Sequence, residues 1–141
     1  WPDPSVPFLD LTSEVDLLPG AGVTDSLYPH EYVAVAFRNQ ITLGLTPTTF
    51  GSYTGIKRTQ MVTMVVRAAQ TLHPSLLATP PLSYNGSLGA FDVTHSANMK
   101  TAEYNGLLQG LVGFGPSWAP YAYATRGETA QVLWNLMRVL D

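Results

Sequence analysis

The chain has 141 residues and a net charge of −3 at pH 7, with 45% hydrophobic and only 12% charged side chains, about half the usual charged share. That length suffices for one domain, or for two small modules that depend on each other to bury a core. Its seven scattered Lys and Arg exclude the basic stripe that nucleic-acid binding requires, and the absence of cysteine excludes disulfides and thiolate metal sites. Residues 1–22 hold three prolines in their first seven positions and should form an extended arm, with Phe8, Leu9 and Leu11 as anchors and Leu17-Leu18-Pro19-Gly20 as a turn. A first helix starts near Pro29 and runs to about Leu43, with Val33, Ala36, Phe37 and Ile41 at helical spacing. The stretch from Gly44 to Gly55 is too rich in Thr, Gly and Tyr for a long helix. A second helix over 61–72 presents Met61, Val62, Val65, Ala68, Ala69 and Leu72, and His73-Pro74 ends it. Residues 74–89, with Pro80-Pro81 and Asn85-Gly86, read as a linker with turn chemistry. A third helix is expected over 99–111 and a fourth over 126–140, the last with Leu133, Leu136, Met137 and Leu140 facing inward. These elements predict an all-α fold with long irregular loops.

A pattern written twice organises these elements. Asp25, a helical run, Gly44, Phe50 and Lys57-Arg58-Thr59-Gln60 are answered by Asp92, a helical run, Gly113, Trp118 and Thr125-Arg126-Gly127-Glu128. Asp to Arg spans 33 residues in the first copy (25 to 58) and 34 in the second (92 to 126), and each Arg opens an apolar helix. A unit of this size cannot bury its apolar face alone and must pack against a neighbour. The expected organisation is an arm (1–22), a first module (23–73), a linker (74–89) and a second module (90–141), the two modules being helix-loop-helix units packed into a small bundle.

The residues of the repeat resemble S-layer homology motifs. In the second copy the resemblance rests on Ala90-Phe91-Asp92-Val93, Gly110-Leu111-Val112-Gly113-Phe114, Trp118-Ala119-Pro120 and Thr125-Arg126-Gly127-Glu128. The first copy is more diverged, with Val23-Thr24-Asp25-Ser26, Gln40-Ile41-Thr42-Leu43-Gly44-Leu45, Phe50-Gly51-Ser52 and Lys57-Arg58-Thr59-Gln60. The resemblance implies a non-catalytic module on the bacterial cell surface. Its partner would be an anionic, pyruvylated secondary cell-wall polysaccharide, and its role to anchor a parent protein. The family usually combines three motifs and only two are visible, so the alternative is a structural subunit that assembles with copies of itself into a lattice or filament, with no glycan role.

Thr125 to Glu128 has the form of a capping box, which places Arg126 in the first turn of its helix. A cation there opposes the helix dipole, yet a guanidinium beside free backbone N–H groups makes a competent anion site. The ligand contacts expected on this basis are Arg126, Arg58 and Lys57, with backbone near Gly110 and Gly113 and the loop aromatics Trp118 and Tyr121. The alternatives stand beside them: each Arg ties its helix to Asp25 or Asp92, and Phe50 and Trp118 fill gaps between modules. His30, His73 and His95 stand alone, and no metal, cofactor or phosphate-loop pattern occurs. Asp92 and Glu128 could be imagined as a glycosidase pair, but a turn and a cap explain both, so no enzymatic activity is expected. The apolar runs are shorter than the roughly 20 residues that span a bilayer, so the chain is not expected to be membrane-embedded. It starts at Trp1 with neither Met nor signal segment, as a processed product or fragment would.

Overall fold

A computed structural model describes residues 6–11, 30–89 and 91–140. Among these, α1 (His30–Arg38), α2 (Arg58–Leu72), α3 (Ser96–Tyr104) and α4 (Arg126–Leu140) are the helices, and the only β pairing is two isolated bridges, Thr46–Thr49 and Lys57–Tyr123. The protein is all-α, with irregular loops as long as the sequence implies. The chain divides into two compact units, 1–54 and 55–141. This boundary differs from the motif boundary. α2 packs against α3 and α4, so the helix that closes the first motif belongs to the second unit.

The first unit is built on Phe8, Leu11 and Val33, with Val6, Phe37 and Phe50 packed around them. The Phe8 ring meets Phe37 edge-on at 5.1 Å and Phe50 at 5.5 Å. Phe8 and Leu11 are anchors as their sequence suggests, whereas the Leu9 side chain is exposed and its N–H is held by the Thr48 carbonyl at 2.8 Å. Gly44 adopts φ +76°, and a Cβ there would run into the Phe8 ring. The rest of the arm, and Asp25, lie outside the described residues.

The second unit centres on α2. Met61, Val62, Val65, Val66 and Ala69 are buried with Met99, Ala102, Leu107, Leu108, Leu111, Trp118 and Val132 in one cluster. Leu72 points to solvent and Ala68 is half-buried, so the inward face is narrower than expected. Residues 74–89 are more than a linker. Leu77 is buried, Ala78 exchanges hydrogen bonds of 2.8 Å with the Asn105 side chain in both directions, and Glu103 receives the Ser87 N–H.

Two helices are shorter than their apolar spacing predicts, and the reason is the same in both. The expected runs to Leu43 and Leu111 end at Arg38 and Tyr104. Gln40 (φ 58°) and Gly106 (φ 74°) turn left-handed, which closes each helix. The hydrogen bonds coincide: Asn39 N–H to Val35, Gln40 to Phe37 and Ile41 to Ala36 are matched by Asn105 to Thr101, Gly106 to Glu103 and Leu107 to Ala102. Asn39 and Asn105 each also cap with a side-chain donor, to Val35 and Thr101 at 2.8 Å. These equivalences fix the register of the repeat at a shift of 66 (39 to 105) and correct the sequence alignment. The counterpart of Gln40-Ile41-Thr42-Leu43-Gly44 is Gly106-Leu107-Leu108-Gln109-Gly110, so Gly44 matches Gly110 and not Gly113. From Phe50, which matches Trp118, the shift is 68.

Candidate functional site

The N-terminus of α2 is where most of the expected site residues converge. Two backbone connections from the loop before α4 fix it: Ala124 N–H donates to Ile56 O at 2.8 Å, and Arg58 N–H donates to Ala122 O at 3.0 Å. Thr59 N–H adds a bond to Pro120 O at 3.0 Å. These carbonyls satisfy donors that a helix start leaves without an internal partner. Gln60 reaches back to the Lys57 N–H at 2.8 Å. The Lys57 side chain has no acceptor, so only half of a capping box forms here.

Both terminal nitrogens of Arg58 are engaged in this arrangement, while its buried Nε has no hydrogen-bond partner among the described residues. Its Nη2 meets Glu128 Oε1 at 2.6 Å, its Nη1 donates to Ala119 O at 3.0 Å, and its guanidinium lies 4.9 Å from the centre of the Trp118 ring. Trp118 is 5% exposed and meets Phe114 edge-on at 5.7 Å. Trp118 is thus part of the core, and Arg58 is mostly covered against it, so neither offers a ligand the open surface that was expected. The bland expectation for Trp118 describes it better. Of the expected ties between each Arg and the Asp of its own copy, that of Arg58 falls on Asp25, outside the described residues, and Arg126 makes none to Asp92; Arg58 pairs with Glu128 of the other copy.

Glu128 also completes the capping box read from the sequence. Thr125 N–H donates to Glu128 Oε2 at 2.8 Å, and Glu128 N–H donates to Thr125 Oγ1 at 3.1 Å. Burial works against the Glu128 charge, but Arg58 and the Thr125 N–H outweigh it and hold the carboxyl below its ordinary value of 4.5. His95 shifts by burial, which favours the neutral ring and lowers its pKa from 6.5; its Nδ1 is 2.8 Å from Thr63 Oγ1. Both depressed values act in one direction. Each group contributes stability that is present above its unfolded pKa and lost as pH falls toward its folded one. Urea denaturation at stepped pH should therefore show stability first declining below pH 6.5 as His95 charges, then again below 4.5 as Glu128 protonates. In a Glu128→Gln variant the second step should shrink.

Asp92 serves α3. Its Oδ1 accepts the N–H groups of Thr94 (3.0 Å) and His95 (3.2 Å), and its Oδ2 accepts the Tyr121 hydroxyl at 2.8 Å. The Tyr121 bond leads the contacts that keep this carboxyl ionised below its ordinary value. Tyr121 is half-exposed and spends its hydroxyl on this bond. Asp10 was not singled out by the sequence, yet it does related work in the first unit. Its two oxygens accept the Phe50 and Gly51 N–H groups at 2.9 and 2.8 Å. Those bonds overcome the opposing effect of burial and lower its pKa. The available signal was Phe8-Leu9-Asp10-Leu11, an aromatic, acid and aliphatic in the order of Phe91-Asp92-Val93.

Arg126 differs from Arg58. It begins α4, is exposed, and has no ion-pair partner among the described residues. Lys57 is likewise exposed. Gly110 (φ 75°) and Gly113 (φ 73°) are exposed turn residues, and no described contact joins them to Arg126. An open depression of about 370 Å³ near the C-terminus of α4 is lined by Tyr104, Asn105, Gln109, Asn135 and Arg138 among others. Its two asparagines are spent on backbone carbonyls. No group of His, Asp and Glu that could hold a metal occurs among the described residues.

Comparison with family models, curated proteins and solved structures finds no match to this chain. No described helix is long and apolar enough to cross a membrane.

Proposed function

We propose that this chain is a non-catalytic module of a bacterial cell surface that holds its parent protein in place by binding an acidic wall polysaccharide, with Arg126 as the anion contact. The observation that carries this reading is the contrast between two equivalent arginines. Arg58 is consumed by Glu128, Ala119 and Trp118, whereas Arg126 offers an exposed guanidinium with no described partner at the first turn of α4. A carboxylate-bearing sugar, such as a pyruvate ketal, would be met by a bidentate donor backed by the positive end of a helix dipole. Lys57 would add a second charge, and the exposed rings of Tyr121 and Tyr123 could cover the apolar side of a sugar.

The test is pull-down of the chain with peptidoglycan sacculi that carry their wall polymer. Arg126→Ala should weaken retention about tenfold or more, the loss of one charge-assisted hydrogen-bond pair. Its melting temperature should be unchanged or slightly raised, since a cation leaves the positive end of a helix. Undiminished retention of Arg126→Ala, or equal retention on sacculi stripped of polymer, would overturn the reading.

A further inference from the structure

Three polar side chains that take no part in the anion contact meet at the C-terminal end of α4. Tyr104 is the last residue of α3, Gln109 lies in the turn after it, and Arg138 is in the last turn of α4. All three line the open depression of about 370 Å³ there, a size within the usual range of small-ligand sites. All three are exposed. The Tyr104 hydroxyl, the Gln109 amide and the Arg138 guanidinium have no hydrogen-bond or ion-pair partner among the described residues.

The frame beneath these groups is fixed from both sides. Asn135 enters from α4 and donates to the Leu107 and Gln109 carbonyls at 2.9 and 2.8 Å, while the Gln131 amide donates to its Oδ1 at 3.0 Å. Asn105 bonds both backbone groups of Ala78 and the Thr101 carbonyl, each at 2.8 Å. The Gln109 amide lies across the Gly106 turn, where a Cβ would stand 3.2 Å from its Nε2. Tyr84 holds the Tyr104 ring edge-on at 5.1 Å and leaves Tyr104 45% exposed. A site whose frame is already ordered loses little freedom when a ligand arrives.

The lining selects the ligand. No Asp or Glu contributes to it, so it does not suit a hard metal ion. Its one formal charge, Arg138, sits where the helix dipole is negative and offsets it. What remains is a planar amide and a planar guanidinium beside a half-exposed ring. Each planar group can bridge two neighbouring hydroxyls, and the ring can cover an apolar C–H face. We infer that this hollow binds a neutral sugar residue, with Gln109 and Arg138 on its hydroxyls and Tyr104 against its C–H face. That the sugar belongs to a wall polysaccharide rests on the function proposed above. Arg126 is no part of this site, since it lies about 18 Å away along the helix.

Nuclear magnetic resonance titration of the full chain tests this, with glucose, galactose, mannose and N-acetylglucosamine in turn and glucuronate as the acidic control. At least one neutral sugar should shift the Gly106 and Gln109 amide signals saturably, and glucuronate should bind no tighter. Arg138→Ala and Gln109→Ala should weaken that binding about tenfold and about fivefold, the usual losses of a charged and a neutral hydrogen-bond donor, at the wild-type melting temperature. Arg126→Ala should bind the sugar as the wild type does. No saturable shift with any of the four sugars, shifts that survive both variants, or tighter binding of glucuronate would overturn the proposal. The two claims fail separately. Undiminished sacculus retention of Arg126→Ala with the sugar shifts intact overturns the anion contact alone, and the reverse pattern overturns the sugar site alone.

Discussion

Replacing Arg58 with alanine should destabilise the second unit by about 3 kcal/mol, the low end of the usual cost of breaking a buried ion pair. The pair is only partly buried, with side chains 18% and 10% exposed, which keeps the figure at that end. Three losses coincide. The Glu128 carboxylate keeps its Thr125 cap but loses its countercharge, the Ala119 carbonyl loses its donor, and the Trp118 face loses its cation. Chemical denaturation of Arg58→Ala beside Arg126→Ala checks this directly, since the equivalent substitution in the other copy should cost nothing. Glu128→Gln in the Arg58→Ala background should recover part of the loss, because an amide tolerates the site without a countercharge. Equal effects of the two arginine substitutions would contradict the contrast between the two copies.

Met99→Ala should cost the same unit about 3 kcal/mol, within the 2–5 kcal/mol typical of truncating a fully buried methionine. Met99 has no exposed surface and sits on α3 in the cluster that α2 completes. The contacts between α2 and α3 are the most extensive between any two of the described helices, so a cavity there loosens the main joint of the unit. A loss below about 1 kcal/mol would mean that neighbours collapse into the space. Met99→Leu, which keeps most of the volume, should lose less than about 1.5 kcal/mol.

The start of α4 was legible in the sequence because it is local, whereas α3 begins at Ser96, three residues before the expected Met99. Thr125 and Glu128 are three residues apart, and the bonds they make depend on nothing beyond one turn, so α4 begins at Arg126 as read. α2 also begins at Arg58 as read, although its first N–H groups are taken by the Ala122 and Pro120 carbonyls of a distant loop, and two such helices with broken loops between them point to the all-α class. Helix ends were less legible. Leu107, Leu108 and Leu111 keep an apolar spacing compatible with helix, yet they fill the core from a turn that Gly106 opens, because burial rewards apolar side chains whatever backbone carries them. In the first copy a Gln occupies the left-handed position, which weakens the usual glycine signal for a helix end.

The sequence by itself determined the repeat, the helical class and the positions of both arginines. Tertiary structure alone decided what each arginine does. The two lie at matching places in matching motifs, but Glu128, Trp118 and the Ala119 carbonyl close on Arg58, whereas Arg126 has no ion-pair partner among the described residues. It also decided which face of α4 turns inward. Hydrophobicity favours Leu133 and Met137, but the buried side holds Asn135, whose amide donates to Leu107 O and Gln109 O at 2.9 and 2.8 Å. Buried carbonyls without a partner are costly, so a polar side chain that satisfies two of them can turn inward in place of larger apolar neighbours. That requirement arises only once the turn after α3 is in place, and no local pattern on α4 encodes it.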